Sequence, residues 1–440
     1  MFFNSNLNVK KNAVYSVFEV ILTALAVFIS YKFIISLHGV AVLGVWSAIN
    51  AWLFFGRASN PGLGAALARY VARLNHNTEF INVRYLVDSA FWFNFIIFFL
   101  LSFASYFFIS TFIDFIFSDE NSMLIALQIL PFMCAGLFFS GMSGVFNGAL
   151  KGIHMGFISS YINIFAAGVH LIAILLLVPD YGLLGLAYAR FLQLSIMTIF
   201  GWMVFGYITR SAAIQNKLPV YLPFLFRLTS IRKMLIYGIN NQIVKLSVGS
   251  VQPISKILIS KFFGLEFLGI YELASKLVEK VSNIITRVTL TALPAFSSII
   301  MKGSNKWQEI YFNLRWKASF YSAFPFMVLS LCSPLIFFIF FNENEINWEF
   351  SKMVTILCVA YYFVAYGALP HILGNVFARQ HHQIAGSIIS IIILTILGVV
   401  AGLYGTSTMF LVIVAFALFS RSLYIKIRHE KDFLKNNISN

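Results

Sequence analysis

The chain has 440 residues, of which 60% are hydrophobic and only 11% are charged, and its mean hydropathy is +0.84. Soluble domains average about 25% charged residues, so this composition excludes a water-soluble enzyme built around one core. One helical crossing needs about 20 apolar residues, so about twelve crossings would use almost the whole chain. We therefore predict an all-α integral membrane protein with about 12 transmembrane helices.

Apolar runs separated by charged or turn-rich gaps predict the spans in chain order. Spans 1 to 6 are predicted at 13–36, 40–57, 86–112, 123–146, 157–178 and 183–208. Spans 7 to 12 are predicted at 234–260, 267–290, 318–341, 353–376, 384–404 and 408–424. The predicted domains are a six-helix bundle over 1–210, a cytoplasmic linker over 211–233, a second bundle over 234–425 and a basic cytoplasmic tail over 426–440.

The charges segregate when the connectors are assigned to alternating sides. The formal net charge is +15, and most Lys and Arg residues fall on one side, which the positive-inside rule makes cytoplasmic. The opposite connectors carry acidic residues: Asp114, Asp119, Glu120, Asp180, Glu266, Glu343, Glu345 and Glu349. Both termini are therefore predicted to be cytoplasmic. The linker carries the cations Arg210, Lys217, Arg227, Arg232 and Lys233, and we expect it to lie at the membrane interface.

The sequence contains an internal repeat. The segment that connects spans 1 and 2 resembles the segment that connects spans 7 and 8. FIISLHGVAVLGVW (33–46) matches ILISKFFGLEFLGIY (257–271) with a one-residue gap. Gly39, Gly44 and Trp46 correspond to Gly264, Gly269 and Tyr271. Chance similarity between glycine-containing hairpins is the alternative. Six spans per half favour two bundles related by a pseudo-two-fold axis along the membrane normal, with a V shape and a central cationic cavity.

Two polar stripes mark the beginning of the second half. Charged side chains are costly inside a membrane, so each stripe should face protein or water. In span 8 one stripe occupies an arc of about 100° and comprises Glu272, Lys276, Glu279, Lys280, Asn283 and Arg287. In span 7 the other lies within about 80° and comprises Asn241, Lys245, Gly249, Gln252 and Lys256.

The stripes have two interpretations. In the first, the cations line an anion-binding surface, and Lys245, Lys256 and Arg287 have no carboxylate partner. In the second, the lysines extend to the interface and the remaining charges pair within the helix, for example Glu272 with Lys276 at i, i+4. The net positive charge of the stripes favours the first interpretation.

Polar residues are sparser in the first half. The candidates are Glu19 in span 1, Asn50 and Arg57 in span 2, Asn163 in span 5 and Arg190 in span 6. Glu19, like Glu272 and Glu279, is a candidate for proton or sodium coupling, although a hydrogen-bonded structural glutamate is an equal alternative. Arg57 could bind a lipid phosphate at the boundary. Arg190 needs an anion or a carboxylate, because guanidinium stays protonated.

Catalytic signatures are missing from the sequence. It contains no Walker loop, no HExxH motif and no nucleophile elbow. Cys134, Cys332 and Cys358 lie in apolar runs without metal-ligand spacing. We therefore expect no enzymatic activity, no cofactor, no metal and no disulfide.

Several segments resemble a known transporter family. KKNAVYSVFEVILTALAVFISYKFIISLHGVAVLGVW and NPGLGAALARYVARL (60–74) resemble the opening of Wzx-type polysaccharide flippases. These belong to the multidrug, oligosaccharidyl-lipid and polysaccharide (MOP) exporter superfamily. MLIYGINNQIV, ILISKFFGLEFLGIYELASKL and LTALPAFSSI (290–299) resemble the second half of the same family. Where such proteins often carry an acidic residue, this chain has Ser255 and Lys256.

The resemblance implies an O-antigen flippase of the bacterial inner membrane. Its cargo would be an undecaprenyl-diphosphate-linked oligosaccharide for lipopolysaccharide or another surface polysaccharide, moved by alternating access, with a proton- or sodium-driven antiporter mechanism left open. The implied partners are membrane lipids, a glycan polymerase and a chain-length regulator. Binding to nucleic acid is not expected. The diphosphate would bind the cationic residues Lys245, Lys256, Lys276, Lys280, Arg287, Arg57 and Arg190. Sugar hydroxyls would bind Asn50, Asn163, Asn241, Gln252 and Asn283.

Two other functions stay open. A multidrug cation exporter of the same superfamily would share the fold but should have an acidic cavity lining. A membrane-embedded glycan polymerase or ligase should carry a large external loop with Arg or His, whereas the external connectors here are short and acidic.

Overall fold

The computed structural model describes residues 5–74, 79–117, 119–290, 306–341, 348–370 and 381–435. The predicted end of span 10 beyond residue 370, and LTALPAFSSI after residue 290, lie outside this part of the chain. Two compact units are present. The first comprises Met1–His38 and Trp52–Leu246, and the second comprises Gly39–Ala51 and Ser247–Asn440. The domain boundaries at 210, 233 and 425 stay a prediction.

The first unit is built around two long helices that pack on each other. Its helices are α1 (Ser5–His38), the C-terminal part of α2 (Val40–Ala58), α3 (Leu63–Val71), α4 (Phe80–Thr111), α5 (Ile113–Ile116), α6 (Glu120–Gly152), α7 (Gly156–Gln215) and most of α8 (Leu228–Gly249). Helix α6 packs against α3, α4 and α7, while α7 also packs against α1. Pro179 precedes a break in α7 at Gly182, whose φ is 55°, so α7 is two helical segments in sequence.

The second unit has its own helix packing. Its helices are the N-terminal part of α2, then α9 (Val251–Phe262), α10 (Gly264–Leu290), α11 (Lys306–Leu331), α12 (Ser333–Phe341), α13 (Trp348–Tyr366), α14 (His381–Tyr404) and α15 (Ser407–Lys435). Helix α13 packs against α10, α11 and α15, and α14 packs against α9 and α15. Each predicted span of the second half therefore corresponds to a helix or a pair of consecutive helices.

The helices confirm the predicted all-α membrane architecture. Among the described residues, nine helices are long and apolar enough to cross a membrane, or ten when the bent pair α11–α12 is one span. Helix α7 covers both predicted spans 5 and 6, and the break at Gly182 divides it between them. Helix α10 corresponds to predicted span 8 and lies outside that set, since its charged stripe lowers its hydropathy. When α7 is counted as two spans, the bent pair α11–α12 as one and α10 is included, the described helices account for all twelve predicted spans.

Predicted span 7 lies within one membrane-length helical run, Leu228–Phe262, which has a local irregularity at Ser250. Helix α8 ends at Gly249 and α9 begins at Val251. Pro253 lacks the N–H that would bond to the carbonyl of Gly249, four residues earlier, which accounts for the irregularity at this point. The predicted stripe of span 7 is therefore divided, with Lys245 on α8 in the first unit and Lys256 on α9 in the second.

The short helix α3 was not predicted. It follows Gly62, which adopts a left-handed φ of 70° and lies against the backbone of Gly238. Its face packs closely on α6, because a Cβ at Gly64 or at Gly148 would collide with the backbone of the other helix. The NPGLGAALARYVARL segment is thus a helix held between transmembrane spans by backbone contact.

The repeat forms a reciprocal crossing of α2 and α10 inside the second unit. Gly39 and Gly264 both adopt left-handed conformations, with φ of 82° and 85°, at the turns that precede the two helices. A Cβ at Gly44 would overlap the carbonyl oxygen of Leu265, and a Cβ at Gly269 would overlap that of Val40. In each repeat the contacting glycine lies five residues after the turn glycine. The same contact is therefore made twice with the roles exchanged, as a local two-fold relation requires.

We expect Gly44→Ala to destabilise the protein, because the added methyl group can only be accommodated by moving the α10 backbone. Overpacking of this kind costs about 1–3 kcal/mol. The measurement is the temperature at which the detergent-solubilised protein loses its monodisperse gel-filtration peak. Gly168→Ala is the matched control, since no atom would lie within 4 Å of its Cβ. Equal midpoints for the two variants would contradict the crossing.

Candidate functional site

A buried ion pair lies next to the α2–α10 crossing. Lys256 Nζ on α9 lies 2.5 Å from Glu272 Oε2 on α10. Ser47 Oγ on α2 donates to the same carboxylate oxygen at 2.6 Å. Lys256 and Glu272 are only 8% and 3% exposed, and Ser47 is fully buried. The expectation that Lys256 has no carboxylate partner is therefore wrong, because the turn at Gly264 folds α10 back along α9.

Further polar groups extend this cluster along α10. Lys276 Nζ binds Glu279 Oε2 at 2.9 Å, and the Lys276 charge also acts on Glu272. Gln252 on α9 donates to the Tyr361 hydroxyl at 2.5 Å. The cluster of Ser47, Gln252, Lys256, Glu272, Lys276, Glu279 and Tyr361 is called the α9–α10 network below. Its two lysines and two glutamates balance in charge, so the network is less cationic than the stripes predicted.

The remaining stripe residues lie in different surroundings. Lys245 on α8 is exposed, and the like charge of Lys151 acts on it. On α10, Lys280 is half-buried and Asn283 is exposed. Asn241 and Arg287 lie on α8 and α10, but their side chains are outside the described part of the structure. The structure therefore brings Lys256, Lys276 and Gln252 together in the second unit, whereas Lys245 belongs to the first unit.

Two arginines of the first unit interact through their charges. Arg57, near the end of α2, and Arg190, in the second segment of α7, are close enough for their like charges to repel. Arg190 Nη1 donates to Gln193 Oε1 at 2.6 Å, and its charge also acts on the buried ring of His170. Both arginines are half-buried. The two like charges repel each other in partly buried surroundings, where an anion would reduce the repulsion.

Glu19 and Asn163 also meet in the first unit. Asn163 Nδ2 on α7 donates to Glu19 Oε1 on α1 at 2.8 Å, and both residues are half-buried. Among the described residues, the ion pairs closer than 4 Å that involve the candidate carboxylates are those of Glu272 and Glu279. Asn50, in contrast, donates to the carbonyl of Trp46 within α2 at 2.9 Å.

Sequence reasoning missed Ser47 and Tyr361 as members of the α9–α10 network. For Ser47 a signal existed in the repeat. Ser47 lies eight residues after Gly39, and Glu272 lies eight residues after Gly264, so the two occupy equivalent positions. Equivalent positions next to a two-fold axis contact each other. Tyr361 had no comparable signal, since α13 lies outside the repeat.

Comparison with protein families identifies the chain. The profile described as polysaccharide biosynthesis protein matches residues 82–344, more than half of the sequence. The chain belongs to the polysaccharide biosynthesis protein family. The search of curated proteins found no sequence that matches this chain.

Solved structures share the fold of this polysaccharide biosynthesis protein. An inward-facing multidrug resistance transporter of the MATE family, in the MOP superfamily, matches with a TM-score of 0.75 at 13% identity, over 96% of this chain and 98% of that one. The lipid II flippase MurJ, in an inward closed conformation, matches with a TM-score of 0.70 at 13% identity, over 96% and 89%. A MOP superfamily transporter from Pyrococcus furiosus Vc1 matches with a TM-score of 0.64 at 13% identity, over 95% of each chain.

The Pyrococcus transporter has a binding pocket of reverse polarity, which suggests a different function for that protein. These likenesses and the family match confirm the resemblance that the sequence indicated. The polysaccharide biosynthesis protein is a multi-pass membrane protein with the fold of MOP superfamily transporters.

We expect single replacements in the Lys256–Glu272 pair to be much more damaging than the double replacement. Removing one partner leaves a buried unpaired charge, which costs about 3–5 kcal/mol. Lys256→Met combined with Glu272→Gln removes both charges and keeps an acceptor for Ser47, so most of the stability should return. A double-mutant cycle of thermal unfolding midpoints in detergent measures this coupling.

The control cycle uses Lys276→Gln and Glu279→Gln. This pair is 28% and 35% exposed at its side chains, so its coupling should be about 0–1 kcal/mol. Strict additivity at Lys256 and Glu272 would contradict the buried pair.

Proposed function

We propose that this protein is a flippase that moves an undecaprenyl-diphosphate-linked oligosaccharide from the cytoplasmic to the periplasmic leaflet of a bacterial inner membrane. The cargo is an O-antigen repeat unit or a related precursor of surface polysaccharide. Membership of the polysaccharide biosynthesis protein family supports a glycan precursor. The fold shared with the lipid II flippase MurJ supports a lipid-linked cargo. The protein acts as a transporter and not as an enzyme.

The observation that carries this proposal is the electrostatic interaction between the like charges of Arg57 and Arg190. Their mutual repulsion is relieved when an anion binds between them, and a diphosphate offers oxygens to both guanidinium groups. Arginine binds phosphate through two parallel N–H···O bonds, which a lysine cannot reproduce. Lys280, and Arg287 on the same helix, add positive charge on α10. In the α9–α10 network, Lys256 and Lys276 are neutralised by glutamates, so they contribute less to anion binding than the arginines.

The sugar part of the cargo requires hydrogen-bonding side chains. Asn163 and Gln252 are half-buried amides that already take part in polar contacts. Asn283 is exposed on α10, and Asn50 and Asn241 lie on α2 and α8. We assign these amides to sugar hydroxyls, while the lipid tail stays in the bilayer. Alternating access between inward and outward states would then deliver the cargo to the polymerase and chain-length regulator of the pathway.

Among the three candidate carboxylates we propose Glu19 for ion coupling. Glu272 and Glu279 are held in ion pairs by Lys256 and Lys276, so protonating either would leave a lysine without its counter-charge. Glu19 accepts a hydrogen bond from the neutral amide of Asn163. Glu19 is therefore the candidate whose coupling role would leave neither Lys256 nor Lys276 without its counter-charge.

Multidrug export is the second candidate function. It is favoured by the TM-score of 0.75 to a multidrug resistance transporter and by the half-buried Glu19. The like-charged arginines oppose it, because a cation-exporting cavity should repel cations as little as possible.

We expect Arg57→Gln and Arg190→Gln each to reduce flipping of an undecaprenyl-diphosphate-linked oligosaccharide in proteoliposomes by at least about tenfold, the equivalent of one charge-assisted hydrogen bond of about 1.4 kcal/mol. Arg57→Lys and Arg190→Lys should recover only part of the rate. The matched control is Arg69→Gln, since Arg69 is exposed and stacks on Tyr237. Normal flipping in both glutamine variants, or export of cationic drugs without any flipping, would refute the proposal.

We expect Glu19→Gln to remove the dependence of flipping on an imposed proton or sodium gradient, while the basal exchange of cargo without a gradient persists. The reason is that Gln keeps the hydrogen bond with Asn163 but cannot exchange a charge. Flipping with and without each gradient is the measurement. Glu266→Gln, an exposed change at the start of α10, is the control, and a gradient response retained by Glu19→Gln would exclude this coupling role.

A further inference from the structure

The connector between α7 and α8 is a non-helical segment fixed to the first unit. Helix α7 ends at Gln215 and α8 begins at Leu228. Between them, residues 219–227 form no helix. Tyr221 packs on α7 at Gly206, where a Cβ would collide with the tyrosine ring. The segment is called the strap below and comprises residues 219–228.

Side chains of α4 and α7 satisfy the polar backbone of the strap. The buried pair Arg84 and Asp88, 3.1 Å apart, is the centre of this attachment. Arg84 donates to the carbonyls of Val220 and Leu222 at 3.2 and 2.9 Å. Asp88 accepts from the amides of Phe224 and Leu225, both at 3.2 Å. Further bonds to the strap backbone come from Ser89, Trp92 and Trp202.

This attachment determines whether the strap can enter the apolar part of a membrane. Irregular backbone is excluded from the apolar zone of a membrane unless its N–H and C=O groups have partners. Here many of those groups are bonded on the protein side. The strap can therefore meet acyl chains on its other side without exposing the bonded polar groups.

The other side of the strap is apolar. Four apolar side chains of the strap are largely exposed. Leu222, Phe224, Phe226 and Leu228 are 65%, 75%, 56% and 71% exposed, whereas Pro223 and Leu225 between them are half-buried. An apolar face of this kind, bordered by polar residues, marks an interaction surface.

Positive charge flanks the apolar residues in the sequence. Arg210, Lys217, Arg227, Arg232 and Lys233 are all exposed, and the sequence from 210 to 233 contains no Asp or Glu. Arg227 also lies over the ring of Tyr85, 4.1 Å from its centroid. Apolar side chains flanked by lysine and arginine are typical of segments that lie in the interface of an anionic membrane.

We propose that the strap is inserted in the cytoplasmic leaflet and that its bordering cations bind the headgroups of anionic phospholipids. The apolar face enters the region just below the headgroups, and Trp92 and Trp202 lie at the same level. The ion pair of Arg84 and Asp88 positions the strap for this contact. Charge complementarity selects a lipid surface over a protein partner, and the proposal does not depend on which cargo is transported.

The first test measures depth in the full-length protein. A fluorophore is attached to Phe224→Cys in a Cys332→Ser background, because Cys332 is the exposed native cysteine. In vesicles of phosphatidylcholine and phosphatidylglycerol, we expect quenching by lipids spin-labelled near the headgroup and little quenching by aqueous iodide. A label at Thr229, which lies off the alternating positions and is exposed, is the comparison. Strong iodide quenching at residue 224 would overturn the proposal.

The second test measures lipid selectivity. Short-chain phosphatidylglycerol is titrated into the detergent-solubilised protein and followed by tryptophan fluorescence. Each cation near an anionic surface contributes about fivefold in affinity. Arg232→Gln with Lys233→Gln should therefore weaken binding by at least about tenfold, while short-chain phosphatidylcholine binds weakly to both proteins.

Lys261→Gln with Lys352→Gln is the matched control, since both lysines are exposed and are predicted to lie on the opposite side. It should bind phosphatidylglycerol as the unchanged protein does. Equal affinity for the two lipids, or an unaltered affinity in the Arg232 and Lys233 variant, would overturn the proposal. Loss of a co-purifying protein in place of lipid selectivity would assign the surface to a protein partner instead.

Discussion

The second unit depends on a buried ion pair that only a close helix crossing permits. Lys256 and Glu272 would be too costly to bury separately, because a buried charge without a partner loses the stabilisation that water gives it. Their contact becomes favourable only with a further donor to the carboxylate, which Ser47 supplies from α2. Ser47 can reach Glu272 because Gly44 and Gly269 allow the two backbones to touch. Steric freedom at two glycines thus determines whether the charges can be buried at all.

The charge distribution that results is uneven. On α9 and α10 the lysines are balanced by glutamates, so this network stabilises the arrangement of helices more than it attracts an anion. In the first unit, the like charges of Arg57 and Arg190 act on each other. Under the proposed function, an anionic cargo would relieve this repulsion on binding and its release would restore the repulsion, which would keep the affinity moderate. The positions of the charges, rather than the total of +15, therefore support the proposal.

The sequence was sufficient for the spans and for the repeat, because both are local patterns. Apolar length predicted the helices, and Gly39 and Gly264 predicted equivalent turns that the structure confirms. Partners were harder to predict. Helical spacing placed Lys256 on a polar face, but its partner lies on the next helix, and the pairing of Ser47 with Glu272 spans 225 positions. Arg84 and Asp88 are separated by one helical turn, so the sequence could have predicted that they pair. Their contacts with the strap could not be predicted, because those partners lie more than 130 positions away.

The divergence of the two repeats follows from the same crossing. Ser47 and Glu272 occupy equivalent positions and contact each other, so identical residues there would face themselves across the local axis. Two glutamates would place two carboxylates in contact, with Lys256 as the nearest cation, and one of them would have to be neutralised. Two serines would leave Lys256 buried without a counter-charge. One serine and one glutamate satisfy the lysine, the carboxylate and the hydroxyl together. A backbone that repeats with two-fold symmetry therefore requires side chains that do not.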